Sequence, residues 1–381
     1  VDDRSGLSRI HLVLVLDAGM SLAIWDQHGI FGRETELYRR LRPHLKAVTL
    51  VTHGDKQDLR LAERLPGIKV ICNHRHLARR WYHWSVVLGL GVRLRLSMGR
   101  AVVKTNQMPG AGLPARLARF GGAKFLVRCG YRYADFMERL FGQGSFRAKE
   151  ALELERCIYK MADMAVTTSE IDSKAVLAAY ELQPERVTVI PNFVDTDLFH
   201  PSRRQKRGPV RRIALVGRLA PQKNPLAAIE ALEGQDVELI VAGEGELKEE
   251  MAQLASRMNV RICFLGRVAH ERLPALLADC DLYLQPSLYE GHPKSLLEAM
   301  ACGLPVVAGD SPGISNVIED GATGLLCGHD AASIRKAVLA LSSQPELREA
   351  LGYKARQWVL THVSLDRVVD IEQRLLSSLC T

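Results

Sequence analysis

LYLQPSLYEGHPKSLLEAMACGLPVVAGD, residues 282–310, is the stretch whose reading decides the fold. It opens on a short apolar run ending at Pro286, passes through a loop holding Glu290 and Gly291, and closes on a second apolar run, LPVVAG (304–309). Between them a helix is predicted from Pro293 to Cys302. Pro293 suits the first helical turn, where a missing N–H costs nothing, and Gly303 suits the left-handed position just past the end. The helix start therefore faces the loop at the carboxyl edge of a sheet. There the unpaired amides of Lys294, Ser295 and Leu296, with the positive end of the helix dipole, form an anion site suited to a diphosphate. Glu298, about one and a half turns further on, is placed to accept hydrogen bonds from vicinal ribose hydroxyls. Glu290, in the loop, can do the same for a sugar.

Working outward, β-like runs alternate with helix-length segments on both sides. Before this stretch lie RIALVGR (212–218), VELIVAGEG (237–245) and RICFLGRV (261–268), and a helical tail of about 331–380 follows it. The first half repeats the pattern with HLVLVLDAG (11–19), AVTLVTH (47–53), KVICN (69–73), RAVVKTN (100–106), KFLVRC (124–129), MAVTTS (164–169) and RVTVIPN (186–192). Strands alternating with helices predict parallel sheets covered on both faces. A chain of 381 residues exceeds one core, so two α/β domains are expected. The basic, proline-bounded stretch PSRRQKRGPVRR (201–212) reads as their linker.

A second segment, VGRLAPQKNP (216–225), ends a strand in Gly217 and presents Arg218 and Lys223 before a helix capped by Asn224 with Pro225 at its first position. Fixed cations beside an anion site stabilise the charge that develops on a departing diphosphate, and they would do so without a metal. Charge is uneven elsewhere too. Residues 1–207 hold 34 Lys and Arg against 21 Asp and Glu, and no acidic residue lies between Glu63 and Asp135. That interval contains HRHLARRWYHW (74–84), where cations alternate with aromatics. Charge alone does not choose among an anionic leaflet, an acidic acceptor and nucleic acid. The eight cysteines include no C-x-x-C pair, which points away from zinc ribbons and disulfide frameworks and towards a reducing cytosol. The opening residues lack a basic n-region and a long apolar h-region, and no window is long enough to span a bilayer, so neither export nor membrane spanning is expected.

These motifs together resemble the retaining GT-B glycosyltransferases of family 4, the group 1 glycosyl transferases. The resemblance rests on GRLAPQKNP (217–225), on VAGEGELKEEM (241–251) followed by FLGRV, and on EGHPKSLLE (290–298) followed by AMACGLPVV. It covers nearly all of 208–330. The first half is similar more loosely, through GIFGRE (29–34) and IPNFVDTDLFHP (190–201). The resemblance implies an α/β protein of GT-B fold, two doubly wound Rossmann-like domains facing across a cleft. Residues 1–200 would bind the acceptor, 208–360 the nucleotide-sugar donor, and the helix in 361–381 would cross back to the first domain. Arg218 and Lys223 would act on the donor phosphates, Glu298 on the ribose, and Glu290 with the backbone of Gly291, His292, Pro293 and Lys294 on the donor sugar. Arg267 and Val268 would border the nucleobase, and Gly29 and Gly32 would let a loop of the first domain approach the donor. No cofactor or metal is implied beyond a nucleotide-diphosphate-sugar substrate. The partners implied are a glycan or lipid-linked acceptor and an anionic membrane surface met through 74–84, with no nucleic acid, for a cytoplasmic protein peripheral to the membrane.

One departure concerns KFLVRC: many relatives carry His before Gly there, whereas this sequence has Cys129 before Gly130. Cys129 is expected to be a packed small residue rather than a nucleophile. Rival readings fare worse. The Gly243-Glu244-Gly245 run has Lys248 where a dinucleotide fingerprint needs its third glycine, and no P-loop occurs. Asp279-Cys280-Asp281 imitates a metal-binding Asp-x-Asp but leads straight into an apolar strand. The histidines at 44–53 and 74–83 lack partner spacing and are expected at the surface. A nucleotide-sugar 2-epimerase of the same fold and an idle scaffold subunit remain as alternatives.

Overall fold

The computed structural model describes residues 3–96, 100–201 and 208–381. By its internal contacts the chain divides into two units, Val1–Pro191 with Val368–Thr381, and Asn192–Arg367. Of the stretch 201–212 read as a linker, 202–207 lie outside the described residues. Val210 is already part of the second unit's core.

Seven parallel strands build the first sheet: β1 (His11–Val15), β2 (Ala47–Val51), β3 (Ile68–Ile71), β4 (Ala101–Thr105), β5 (Lys124–Arg128), β6 (Met164–Thr167) and β7 (Val187–Val189). Their order is β3-β2-β1-β4-β5-β6-β7. Six parallel strands build the second: β8 (Arg212–Val216), β9 (Glu238–Ala242), β10 (Arg261–Gly266), β11 (Leu282–Gln285), β12 (Val306–Gly309) and β13 (Leu325–Cys327), in the order β10-β9-β8-β11-β12-β13. Both sheets reverse direction of winding once, between β1 and β4 and between β8 and β11. This is the doubly wound Rossmann pattern, which opens a crevice outside the carboxyl ends of the strands at the reversal.

The strands are apolar on both sides because helices cover both sides. In the second sheet Ile213, Leu215, Leu239, Val241, Leu282 and Leu284 pack into one core layer. Their neighbours Ala214, Ile240, Ala242 and Tyr283 pack into the other. Edge strand β13 was not foreseen; its three residues, locked in register with Val307–Gly309, are too short for a periodicity. The expected tail is three helices, Ala331–Ser343, Pro345–His362 and Leu365–Cys380. The last places Glu372 against Lys104 of β4, both side chains fully buried.

Two local expectations are corrected. The glycine-rich segment 29–34 is a helix junction rather than an open loop: Gly29 is left-handed (φ 66°) after the helix Leu22–Gln27, and Gly32 lies in the first turn of the helix Phe31–Leu41. The amide of Gly29 donates to Asp26 O and that of Ile30 to Trp25 O, closing the first helix. Asn224 precedes the helix Pro225–Ala231 in a left-handed conformation and makes no side-chain cap; its side-chain Nδ2 instead donates to His329 O at 2.8 Å.

Candidate functional site

The reversal between β8 and β11 carries a small hollow lined by Gly217, Lys223, Gln285, Pro286 and Ser287. The loops around it are fixed by close backbone approaches. A Cβ on Gly243 would stand 1.8 Å from Gly217 O, and one on Gly313 would stand 2.2 Å from Gly291 O. No residue with a side chain fits either place. The Leu288 amide donates to Gln222 O at 2.9 Å, the Gln222 side chain donates to Tyr289 O at 2.9 Å, and the Glu290 amide donates to Pro312 O at 3.1 Å. The segments 218–223 and 287–291 are thereby held together from both sides.

Inside this frame Lys223 Nζ lies 2.5 Å from Glu290 Oε1, both side chains largely buried. Gln285 Nε2 donates to the same oxygen at 3.1 Å, and the Gln285 carbonyl accepts from Tyr283 Oη at 3.0 Å and Ser295 Oγ at 3.4 Å. Burial pushes the Tyr283 phenol well up, so it stays a neutral donor. Arg218 is exposed at the rim of the same strand end. Ser287 Oγ is buried with no hydrogen-bond partner among the described residues. Such an orphan at a pocket wall is a group that a ligand or water satisfies.

The helix Lys294–Ala301 starts beside this cluster, with Pro293 at its N-cap and Gly303 left-handed (φ 70°) beyond its end. Its first amides, at Lys294, Ser295 and Leu296, have no helical acceptor. The preceding loop is anchored by Asn192, whose side chain donates to His292 O at 2.8 Å. Glu298 lies in the helix with its carboxylate buried, and His270 Nε2 is 2.9 Å from its Oε1. His270 belongs to the short turn His270–Arg272 that follows Arg267 and Val268 at the exit of β10, and its ring packs 4.9 Å from that of Phe199. Arg267 is exposed, and Val268 packs partly into the core. Gly217, Lys223 and Glu290 thus meet directly. Glu298 lies further along the adjoining helix against His270, Arg267 and Val268 lie on the exit of β10, and Gly29 and Gly32 lie in the other unit.

Sequence reading missed Gln285, Asn192 and His270 as members of the cluster. The Asp279-Cys280-Asp281 run is occupied structurally, since the Asp281 carboxylate accepts from the amides of Arg211 and Arg212. In the first unit the equivalent reversal holds Asp17, after β1, beside Asn106 and Gln107, after β4. One oxygen of Asp17 is buried without a partner. Burial raises its carboxyl to about 7, against hydrogen bonds from Gln107 and Asn106 that lower it. Cys129 is buried, its Sγ donating to Tyr131 O at 2.7 Å, and burial pushes the thiol up to about 12. It is a packed thiol and no thiolate forms near neutrality. Two histidines expected at the surface are half-buried instead: His53 and His83 stack edge to face at 5.5 Å, and burial lowers both, His83 to about 4.

Two doubly wound parallel sheets, one with a polar cleft at its winding reversal beside a helix N-terminus, define an α/β protein of two Rossmann-like domains. Comparison with known proteins agrees. Residues 199–358 match the family Glycosyl transferases group 1, and residues 34–198 match Glycosyltransferase Family 4. The D-inositol 3-phosphate glycosyltransferase of Mycobacterium tuberculosis is 32% identical over 202 residues, 48% of this chain and 42% of that protein. The chain is therefore matched over less than half the length of this relative. Among solved structures, Anabaena HepE in complex with UDP-glucose superposes with a TM-score of 0.76 at 18% identity, covering 97% of this chain and 100% of that one. Sucrose-phosphate synthase from Thermosynechococcus elongatus gives 0.77 at 18% identity over 97% and 99%. At such identity the likeness is one of fold. The chain belongs to the GT-B glycosyltransferases of family 4.

Proposed function

We propose that this protein transfers a sugar from a nucleotide-diphosphate-sugar to an acceptor hydroxyl, with retention of anomeric configuration and without a metal. The observation that carries this reading is the second unit's cleft, where Lys223, Gln285 and the orphaned Ser287 hydroxyl line a hollow at the winding reversal. The adjacent helix N-terminus and the rim cation Arg218 suit a diphosphate. Glu298 would take the ribose hydroxyls, Arg267 and Val268 the base, and Glu290 with the backbone of Gly291, His292 and Pro293 the sugar. As the glycosidic bond breaks, the leaving diphosphate gains charge. Lys223, Arg218 and the amides of Lys294, Ser295 and Leu296 would meet it, which is the preorganised stabilisation that lowers such barriers. The first unit would take the acceptor, a glycan or a lipid-linked sugar of an envelope polysaccharide or glycolipid, at the edge that carries Asp17.

UDP is the nucleotide to try first, because HepE was solved with it. Calorimetric titration should show UDP binding to the wild type, weakened about 10- to 100-fold in Lys223→Ala, the range for losing one charged hydrogen bond. Equal affinity in the two proteins would remove Lys223 from the phosphate site. Anomeric configuration is read directly by NMR of the product, and an inverted product would refute retention.

A further inference from the structure

No described residue covers the outer face of the helix Arg79–Arg95, which is built unlike an ordinary solvent face. Its inner side packs Tyr82, Val86, Val87, Leu90 and Leu94 into the core of the first unit. Its outer side shows Trp81, Trp84, Leu88 and Val92, all exposed. Leu96 at its end continues the line and is 78% exposed, and Leu77, in the loop before the helix, is 37% exposed. At about 100° per residue the five side chains from Trp81 to Leu96 fall within roughly a third of the helix circumference, and at ~1.5 Å per residue the stripe is roughly 22 Å long. Large apolar side chains on a helix normally face the core. This helix buries one row of them and leaves a second row exposed between its terminal arginines.

The charges that the helix and its flanking segments carry beside the stripe are all of one sign. Arg75, Arg79 and Arg80 stand at its start, Arg93 and Arg95 at its end, and Arg116 and Arg119 on the neighbouring helix Gly112–Gly121, all exposed. No carboxylate occurs anywhere between Glu63 and Asp135 in the sequence. We propose that this face docks the protein on an anionic phospholipid surface, the helix lying in the plane of the interface with its Trp and Leu side chains among the acyl chains and its arginines at the headgroups. Tryptophan favours this depth because its ring is apolar and its N–H is not, and arginine can bury its stem while its head stays at the phosphates. A membrane supplies apolar and anionic contact along the whole stripe at once. The segment 74–84 alone would have been only its first half. The surface lies in the first unit and does not depend on how the donor cleft is read.

The test is co-sedimentation of the full chain with vesicles of phosphatidylcholine alone and of an equimolar phosphatidylglycerol–phosphatidylcholine mixture. Two variants accompany the wild type, Trp81→Ser/Trp84→Ser/Leu88→Ser and Arg79→Ala/Arg80→Ala. Circular dichroism and thermal melting are followed on all three to show that they fold alike. The wild type is expected to pellet with the mixed vesicles and not with phosphatidylcholine, with a blue-shifted tryptophan emission. The apolar variant is expected to lose at least about tenfold in partition coefficient, and the arginine variant is expected to lose most of the preference for anionic lipid. Nucleotide binding in solution should be the same in all three proteins. A wild type that stays in the supernatant with both vesicles, or binds both equally, would overturn the proposal. So would a wild-type dimer in sedimentation velocity that the apolar variant dissolves, since a second copy of the chain would then be the occupant.

Discussion

The role proposed for Glu298, binding ribose hydroxyls, requires its carboxylate to hold one rotamer, and two contacts restrain it: His270 Nε2 lies 2.9 Å from one oxygen and Phe199 backs the imidazole. His270 would then act through Glu298 as a positioning residue. His270→Ala should weaken nucleotide binding about tenfold by calorimetry, with Asn at the same position restoring part of it through its own amide donor. Unchanged affinity in His270→Ala would separate the two residues. Asp17 offers a second measurement. Its carboxyl is raised from 3.8 to about 7 by burial, so between those values the folded chain binds more protons than the unfolded one and stability falls as pH rises. Asp17→Asn lacks that penalty. Urea titrations at intervals from pH 4 to 8 should show the variant gaining on the wild type up to about pH 7, by on the order of a few kcal/mol, and then levelling off. A constant difference across the range would mean that Asp17 is not held protonated. Lys223 and Glu290 were legible in the sequence because strand-end grammar fixes both. Asp17, Gln285 and His270 were not, because their importance lies in partners brought near by the sheet: His270 is 28 residues from Glu298.

Elements rather than single residues decide how rigid the donor cleft is. Gly243 and Gly313 let the loops after β9 and β12 lie against the backbone of the loops that carry Lys223 and Glu290, and sequence alone shows a glycine without showing what approaches it. The helix Lys294–Ala301 was readable to within a residue at either end, since Pro and Gly mark both boundaries. Strand β13 and the helix junction at Gly29 were not, the first for shortness and the second because a glycine between two helices looks like a glycine in a loop. The closing helix Leu365–Cys380 makes its own prediction. Glu372 meets Lys104 with neither exposed, and burial pushes the Lys104 ammonium down against the pull of Glu372. Removing one partner strands a buried charge. Glu372→Ala should lower the stability of the folded chain by about 3–5 kcal/mol in urea unfolding, and a midpoint equal to that of the wild type would show the pair to be dispensable.

For the molecule as a whole, alternation of strands and helices was enough to foresee two parallel sheets, and the strand orders of both are those of doubly wound units. What periodicity could not give was the winding reversal, which depends on which strands become neighbours, and it is this that puts Lys223 and the helix start at one crevice. The central claim is that the crevice binds and activates a nucleotide-sugar. The most direct test is nucleotide release from a panel of UDP-, GDP- and ADP-sugars, with and without acceptor extract and in the presence of EDTA, for the wild type beside Lys223→Ala and Glu298→Ala. The account predicts that one donor is turned over, that EDTA leaves the rate unchanged, and that both substitutions lower it by at least about a hundredfold. A chain that consumes none of these donors with any acceptor and binds none of them would contradict it.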